Sequence, residues 1–382
     1  ASETVAYDGN VVEGPQHLFR YAKEHELSVQ FVLPTAHLLK TKNGQLIVDS
    51  DGVEKLQSLV ADILSGRFGT VNIEQFEIGN EYYYEANLSA SEYGLLANTL
   101  VLAVHQEIEK FAENLPSNAG WEAPKIAVQA GAGWRDRDNE VILDSLESRA
   151  MAKIDSVIFH YYPENLAAVD KKGKHLGQIE EWRTATGRPD LDFFVSEWNV
   201  LGGDDAASGM AQASTIVAAF AELVRLGVDT ATVWGTHFRW LKAGLSKSFM
   251  GSDSEVSDTR LSVAGEMFAS LRESLVGLEA IEVEKGDVLI GRAYFGDVEL
   301  ESFANDSSAV FYISSTSNKP VNLRFDLEGY FGETSHVWGE VLTSIDDPRS
   351  TWVDESNPLT AGGLPRFDII NSSSFDQSNK VT

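Results

Sequence analysis

The chain has 382 residues, of which 43% are hydrophobic, so it is long enough for one large domain and a smaller one. The 58 acidic and 30 basic residues give a net charge of −28, and a surface of this sign repels phosphate and argues against nucleic acid as a partner. The sequence contains no Cys, which excludes disulfides, thiolate nucleophiles and Cys-ligated metals. No run of about 18 apolar residues is present, so we predict neither a transmembrane helix nor a membrane partner.

Up to about residue 277, short apolar runs alternate with longer helical patterns. Each short run has the composition of a strand that is buried on both faces. The predicted strands are 29–33, 73–78, 125–130, 156–161, 192–196 and 230–234. The predicted helices are 15–24, 53–64, 91–111, 211–226 and 261–275. Repetition of strand, helix and strand predicts a parallel sheet with right-handed crossovers.

From about residue 278 the pattern changes to short β-prone segments that are separated by turn residues. These segments include 288–290, 309–314, 321–325 and 335–338. No long helical pattern interrupts them. We therefore predict an antiparallel β-sandwich over 278–382, behind an α/β domain over 1–277.

Six strands are two fewer than the eight that close a (β/α)8 TIM-type barrel. The residues before Val29 predict a helix but no convincing pair of strands. Two interpretations stay open. Either this region contains strands that the pattern does not reveal, or the first two barrel strands are absent from this chain and a separate N-terminal segment supplies them.

Two Glu residues follow predicted strands at ends that meet in a parallel barrel. Glu81 follows the strand 73–78 after Gly79 and Asn80, and Glu197 directly follows the strand 192–196. TIM-barrel active sites lie at the carboxyl ends of the strands. Retaining cleavage of a glycosidic bond needs two carboxyl groups about 5–5.5 Å apart, one to protonate the leaving oxygen and one to attack the anomeric carbon. Matching positions favour this pair over the alternative of two solvated surface residues.

The segments E-I-G-N-E at 77–81 and S-E-W-N-V at 196–200 resemble the catalytic strand ends of clan A glycoside hydrolases. They are most similar to the α-L-arabinofuranosidase and β-xylosidase-like families. In that clan an Asn-Glu pair ends the fourth strand and a second Glu ends the seventh. The resemblance implies a retaining glycosidase that cleaves a poly- or oligosaccharide by double displacement, with Glu81 as acid/base, Glu197 as nucleophile, and no cofactor.

The resemblance also gives roles to residues around the two carboxyl groups. Asn80 would hydrogen-bond the sugar 2-hydroxyl, and Trp234 would form an apolar floor under the sugar ring. A residue at the end of strand 156–161 would hold Glu197 by a hydrogen bond. The candidates for this contact, with the first preferred, are Tyr161, His160 and Tyr162. As alternatives, these three could cap the strand and Trp234 could belong to the core.

Loops on the same predicted face add candidates for substrate binding. Trp134 follows the strand 125–130, and His237 follows the strand 230–234. For both, an exposed loop residue without a role is an equally good interpretation. Glu77 has the same parity as Glu81 and is expected to point into the barrel as a structural ion-pair partner rather than as a catalyst.

Other chemistries find little support in the sequence. The 8 His show no paired ligand spacing such as H-E-x-x-H, so we predict no metal site. Two rival functions use the same fold: a transglycosylase, and a non-catalytic carbohydrate-binding protein. A purely structural or adhesive module leaves both Glu motifs unexplained. No signal peptide is visible, but we expect an extracellular or periplasmic location because polysaccharides are usually met outside the cell.

Overall fold

The structure is a computed structural model, and it describes the chain apart from several segments. The residues outside the description are 1–3, 8–9, 36, 85–86, 117–119, 136, 201–209, 236–244, 251–255, 282, 286–287, 291, 296–297, 316–324, 327–338, 346–363, 371–374, 377–379 and 382. Among the described residues, no helix is both long and apolar enough to cross a membrane.

The five predicted helices are present within a few residues of their predicted bounds, and four further helices between residues 138 and 186 were not predicted. The helices are α1 (Pro15–Glu24), α2 (Ser50–Leu64), α3 (Ala90–Glu113), α4 (Asp138–Asp144), α5 (Ser148–Met151), α6 (Leu166–Leu176), α7 (Ile179–Thr186), α8 (Met210–Arg225) and α9 (Val263–Ser274). The strands before α9 are β1 (Thr4–Tyr7), β2 (Asn10–Glu13), β3 (Val29–Leu33), β4 (Leu39–Lys42), β5 (Gln45–Val48), β6 (Ile73–Ile78), β7 (Lys125–Gln129), β8 (Ser156–Tyr161), β9 (Asp192–Trp198), β10 (Thr230–Val233), β11 (Ser246–Met250) and β12 (Val256–Leu261).

One parallel sheet contains all six strands predicted for the first domain. Its order is β10-β9-β8-β7-β6-β3, and β3, β6, β7 and β8 pair in parallel. The sheet curls strongly, as a hydrogen bond of 3.5 Å from Ser196 on β9 to Glu77 on β6 shows. In a flat sheet these strands, three positions apart, would be roughly 14 Å apart. The described residues therefore form a six-stranded half-barrel, and a closed eight-stranded barrel is not confirmed.

The edge strands correct the prediction that every strand is buried on both faces. In the central strand β7, four of five residues are buried, whereas the first three residues of β10 are exposed. On β3, Val32 is 46% exposed while Leu33 is fully buried. β10 and β3 are more exposed because each is an edge strand, with a neighbouring strand on one side only.

Helix α3 holds the ends of β6 and β7 together. It begins with a capping box, in which the Ser89 hydroxyl accepts from the Glu92 N–H and the Glu92 carboxylate accepts from the Ser89 N–H. The next residue, Tyr93, is fully buried. Its hydroxyl donates to the Ile78 carbonyl and accepts from the Gln129 N–H, both at 2.8 Å. This bridge fixes the carboxyl end of β6, where Glu81 follows.

The region before Val29 contains two short strands that the sequence did not predict. β1 and β2 pair with each other in antiparallel fashion, from Thr4 opposite Glu13 to Tyr7 opposite Asn10. Neither belongs to the six-stranded sheet. A separate segment that completes the barrel therefore stays a prediction.

The last part of the chain is rich in antiparallel strands, as the sequence predicts. The strands are β13 (Glu279–Ala280), β14 (Val283–Lys285), β15 (Val288–Ile290), β16 (Arg292–Phe295), β17 (Val298–Ala304), β18 (Ala309–Ser315), β19 (Phe325–Asp326), β20 (Gly339–Ile345), β21 (Leu364–Ile370), β22 (Phe375–Asp376) and β23 (Lys380–Val381). β17 pairs with β13, β16 and β18, and β20 pairs with β21. The predicted segment 335–338 and most of 321–325 lie outside the described residues. The stacking of these strands into a sandwich stays a prediction.

The chain falls into two compact units. The first contains residues 1–159 and 175–196, and the second contains 160–174 and 197–382. Glu81 belongs to the first unit and Glu197 to the second. The predicted domain boundary at Gly277 stays a prediction.

Candidate active site

The turn that carries Glu81, residues 79–84, has unusual backbone geometry. Gly79 has φ +77° and Glu81 has φ +36°, in the left-handed region that a side chain makes unfavourable. A Cβ on Gly79 would lie 2.7 Å from the Thr35 hydroxyl, so glycine is required there. The Tyr84 N–H donates to the Glu81 carbonyl at 2.7 Å and closes the turn. Strain at a non-glycine residue is typical of functional sites and costs on the order of 1–3 kcal/mol.

Two tyrosines fix the Glu81 turn in place. The Tyr82 hydroxyl donates to Asp138 at 2.8 Å, and its ring stacks on Tyr93 with centroids 4.4 Å apart. Burial, followed by this bond to Asp138, raises the pKa of Tyr82 well above its usual range, so the phenol keeps its proton. The Tyr83 hydroxyl lies 3.5 Å from Glu81 Oε1, within reach of a long hydrogen bond.

An aromatic cluster adjoins Glu81 through Tyr83. The Tyr83 ring meets Trp134 edge-on at 5.0 Å, and Tyr84 lies beside Trp134 at 5.6 Å with the ring planes 33° apart. Tyr83 is buried, but Tyr84 and Trp134 are 66% and 58% exposed. The sequence singled out Trp134 but missed the two tyrosines. The run of three tyrosines directly after a catalytic candidate was the available signal.

The other residues near Glu81 that the sequence singled out are placed as follows. Asn80 is half-buried between Gly79 and Glu81. Glu77 is 3% exposed on β6 and accepts the hydrogen bond from Ser196. Its expected role as an ion-pair partner stays a prediction.

Glu197 lies near the end of β9, among hydrogen-bonding side chains. The Tyr162 hydroxyl donates to Glu197 Oε2 at 2.6 Å, and His160 Nδ1 lies 3.5 Å from the same oxygen. The His160 side chain is 4% exposed and that of Glu197 is 23% exposed. The carboxylate is therefore held at one oxygen while part of its surface stays accessible.

The sequence predicted Tyr161 as the preferred hydrogen-bond partner of Glu197, and this prediction is wrong. The Tyr161 hydroxyl donates instead to the Val169 carbonyl at 3.1 Å, and the residue is fully buried. Successive side chains along an extended chain point to opposite sides, so His160 and Tyr162 share one side and Tyr161 takes the other. The sequence placed the contact at the right strand end but on the wrong residue.

Trp234 directly follows β10 and packs next to Tyr162. Their rings meet edge-on, with centroids 6.3 Å apart and an interplanar angle of 88°. The Trp234 N–H donates to the Trp198 carbonyl, and its own carbonyl accepts from the Asn199 side chain at 2.9 Å. Asn199 is completely buried. These bonds fix Trp234 beside the residues that surround Glu197.

Two further observations concern this side of the site. Lys172 on α6 donates to the Tyr162 carbonyl at 2.9 Å and pairs with Glu164 at 2.5 Å, so it supports the segment that follows β8. His237 lies outside the described residues.

No family model matches the sequence, and no curated protein matches it. Solved structures do match the fold. AbfB, a family 51 α-L-arabinofuranosidase from Bifidobacterium longum, matches with TM-score 0.59 and 14% identity over 92% of this chain and 74% of that one. Another arabinofuranosidase matches with TM-score 0.56 and 11% identity over 95% and 75%. BuGH86 in complex with neoagarooctaose matches with TM-score 0.53 and 12% identity over 93% and 59%.

These similarities concern the fold, since all three identities are below 15%. The resemblance that the two Glu motifs suggested is confirmed at this level: the fold of this chain is similar to that of solved glycoside hydrolases. This chain spans about three quarters of each arabinofuranosidase and a smaller share of BuGH86.

Proposed function

We propose that this protein is a retaining glycoside hydrolase that uses Glu197 as nucleophile and Glu81 as acid/base. The observation that carries the proposal is the hydrogen bond of 2.6 Å from Tyr162 to Glu197. Glu197 lies near the end of β9, and Glu81 follows β6, a strand of the same sheet. The fold similarity to glycoside hydrolases supports it independently.

The surroundings of Glu197 suit a nucleophile. In the first step, one carboxylate oxygen forms a bond to the anomeric carbon while the bond to the leaving oxygen breaks. The Tyr162 hydroxyl donates a hydrogen bond to Oε2 of Glu197. This bond stabilises the negative charge and fixes the orientation of the carboxylate. This leaves Oε1 as the attacking atom.

Glu81 supplies the proton in the first step and removes one in the second. Its carboxylic acid protonates the leaving oxygen, so the leaving group departs as a neutral alcohol. The resulting Glu81 carboxylate then accepts a proton from water as that water attacks the anomeric carbon of the glycosyl-enzyme. The second attack releases Glu197 and restores the proton on Glu81. Carboxyl groups and water complete the cycle without a cofactor.

Asn80 and Trp234 complete the proposed sugar site. Asn80 adjoins Glu81 and would bind the sugar 2-hydroxyl, a contact that strengthens in the transition state. Trp234, held edge-on to Tyr162, would cover the apolar face of the sugar ring. His160, close to the Glu197 carboxylate, would limit the movement of that group.

A panel of aryl glycosides tests the proposal, beginning with the α-L-arabinofuranoside because two of the similar structures are arabinofuranosidases. We expect hydrolysis of at least one glycoside, and loss of that activity in Glu197→Gln. Glu113→Gln, which changes an exposed carboxylate at the end of α3, is the matched control and keeps full activity.

The same assay separates the rival functions. Sugar binding without any turnover by the native chain would replace the proposal with a non-catalytic carbohydrate-binding protein. Transfer of the glycosyl group to an added sugar in preference to water would identify a transglycosylase, since both reactions share the glycosyl-enzyme.

A further inference from the structure

We propose that Tyr84 and Trp134, called here the aromatic platform, bind the leaving-group sugar of the substrate. The inference rests on the proposed role of Glu81 as the acid. It assigns a substrate class: glycosides in which a further sugar unit lies beyond the bond that is cleaved, rather than those with a small leaving group.

The two rings of the aromatic platform form one exposed apolar surface. Their centroids are 5.6 Å apart and their planes differ by 33°, so the two rings pack against each other at a tilt. They stay 66% and 58% exposed although they contact each other and Tyr83. Adjacent large aromatic faces left open to solvent mark binding surfaces. A sugar ring suits such a surface, because its C–H bonds form an apolar face that packs on an aromatic ring.

The position of the aromatic platform relative to Glu81 selects the leaving group. Tyr83 connects the two, with its hydroxyl 3.5 Å from the Glu81 carboxylate and its ring 5.0 Å from Trp134. The acid must reach the oxygen between the cleaved sugar and the leaving group. That oxygen departs with the leaving group. Side chains that adjoin the acid are therefore expected to lie next to the leaving-group sugar.

The aromatic platform has a rigid base. The loop that carries Trp134 packs so closely that a Cβ on Gly131 would lie 2.6 Å from the Asp138 side chain, and one on Gly133 would lie 2.6 Å from the His175 ring. Asn139, which is 3% exposed, accepts from the Gly131 N–H at 2.6 Å. The bond from Tyr82 to Asp138 joins this loop to the Glu81 turn. Binding therefore needs little ordering of the backbone.

A rigid contact with the leaving-group sugar is expected to lower the barrier as well as to bind substrate, since contacts remote from the reacting bond can stabilise the transition state. Loss of one aromatic face should reduce kcat/KM about tenfold or more for substrates that cover it. A methyl glycoside needs the same acid catalysis but does not extend to the aromatic platform. Its hydrolysis should be unaffected.

The test compares two leaving groups of the sugar identified by the aryl-glycoside panel, namely methanol in the methyl glycoside and a second sugar in the disaccharide. Trp134→Ala and Tyr84→Ala should each lose tenfold or more in kcat/KM on the disaccharide and less than twofold on the methyl glycoside. Trp134→Phe, which keeps an aromatic face, should recover most of the loss. The matched control is Tyr21→Ala, since Tyr21 on α1 is 56% exposed and its ring contacts that of His25.

Equal losses on both substrates would overturn the inference, because they indicate a structural role, and so would no loss on the disaccharide. Both results leave the glycosidase proposal intact. If the native chain hydrolyses neither substrate, the proposed function fails and calorimetric binding of the disaccharide decides. Weaker binding by Trp134→Ala would then support the aromatic platform, and unchanged or absent binding would reject it.

Discussion

The surroundings of Glu81 and Glu197 position a carboxyl group in two different ways. Glu81 lies in a strained turn, with φ +36°, and the Tyr83 hydroxyl lies 3.5 Å from its carboxylate. Glu197 lies within a regular strand and receives a hydrogen bond of 2.6 Å, with an imidazole nitrogen at 3.5 Å. A strained backbone turn carries the first group, and a short hydrogen bond from Tyr162 holds the second.

The difference matches the work that each group is proposed to do. A nucleophile that must remain anionic gains from a donor that is fixed on one oxygen. An acid/base carries a proton in one step and none in the next, so a strong donor fixed on both states would favour one of them. The strained turn fixes the position of Glu81 through its backbone.

The largest effect is expected at Glu197. Glu197→Ala should reduce kcat on the order of 10⁵-fold, because the nucleophile of a covalent mechanism is lost. Added azide can enter the vacated space and attack the anomeric carbon directly. The product, measured by NMR, should be a glycosyl azide of inverted configuration.

Glu81→Ala should behave in the opposite way. The loss should be about 10²- to 10⁴-fold for substrates with poor leaving groups, and far smaller for activated aryl glycosides, because only the former need the acid. Azide should now trap the glycosyl-enzyme and give a product of retained configuration. If the two variants give the reverse pair of configurations, the roles of the two Glu residues are exchanged.

An intermediate effect is expected from the donor on Glu197. Tyr162→Phe removes a hydrogen bond to a charged group, worth about 1.5–3 kcal/mol, which corresponds to roughly 10- to 100-fold in kcat/KM. Tyr161→Phe is the matched control, because it removes a buried hydroxyl that bonds the Val169 carbonyl. It should lower the unfolding temperature and leave kcat/KM within a few-fold. Similar kinetics for both variants would contradict a specific role for Tyr162.

The smallest effect concerns the scaffold on the Glu81 side. Bonds from the Ser89 backbone and hydroxyl hold the pKa of Glu92 below its ordinary value. A lowered folded-state pKa contributes stability that is present above the unfolded value and lost as pH falls through the folded one. Glu92→Gln should therefore lower the free energy of unfolding at pH 7 by less than about 1 kcal/mol, seen as a slightly lower thermal midpoint. The difference in midpoint between the native chain and the variant should shrink below about pH 4.5. A difference that grows on acidification would contradict this assignment.

Much of the half-barrel could be predicted from the sequence, because buried parallel strands give short apolar runs that end at recognisable turns. β6 and β9 lie at the predicted positions, and this located both Glu residues. The strand β10 was predicted, but its exposure was not, because exposure depends on which neighbours the sheet provides, a property of the whole fold.

The details around each Glu depended on conformations that local patterns do not encode. Whether Tyr161 or Tyr162 bonds Glu197 depends on where β8 ends, and a shift of one residue exchanges their sides. The pairing of Tyr84 with Trp134 joins loops that are 50 residues apart in sequence. The hairpin β1–β2 has too short an apolar pattern to stand out before Val29.

Covalent labelling tests the central claim most directly. The sugar identified by the glycoside panel would be offered as its 2-deoxy-2-fluoro derivative with a dinitrophenolate leaving group, which slows release of the glycosyl-enzyme. The mass of the intact protein should increase by one fluoroglycosyl group, and peptide fragmentation should place that group on Glu197. A label on another residue, or a native enzyme that hydrolyses the parent glycoside with inversion of configuration, would contradict the account.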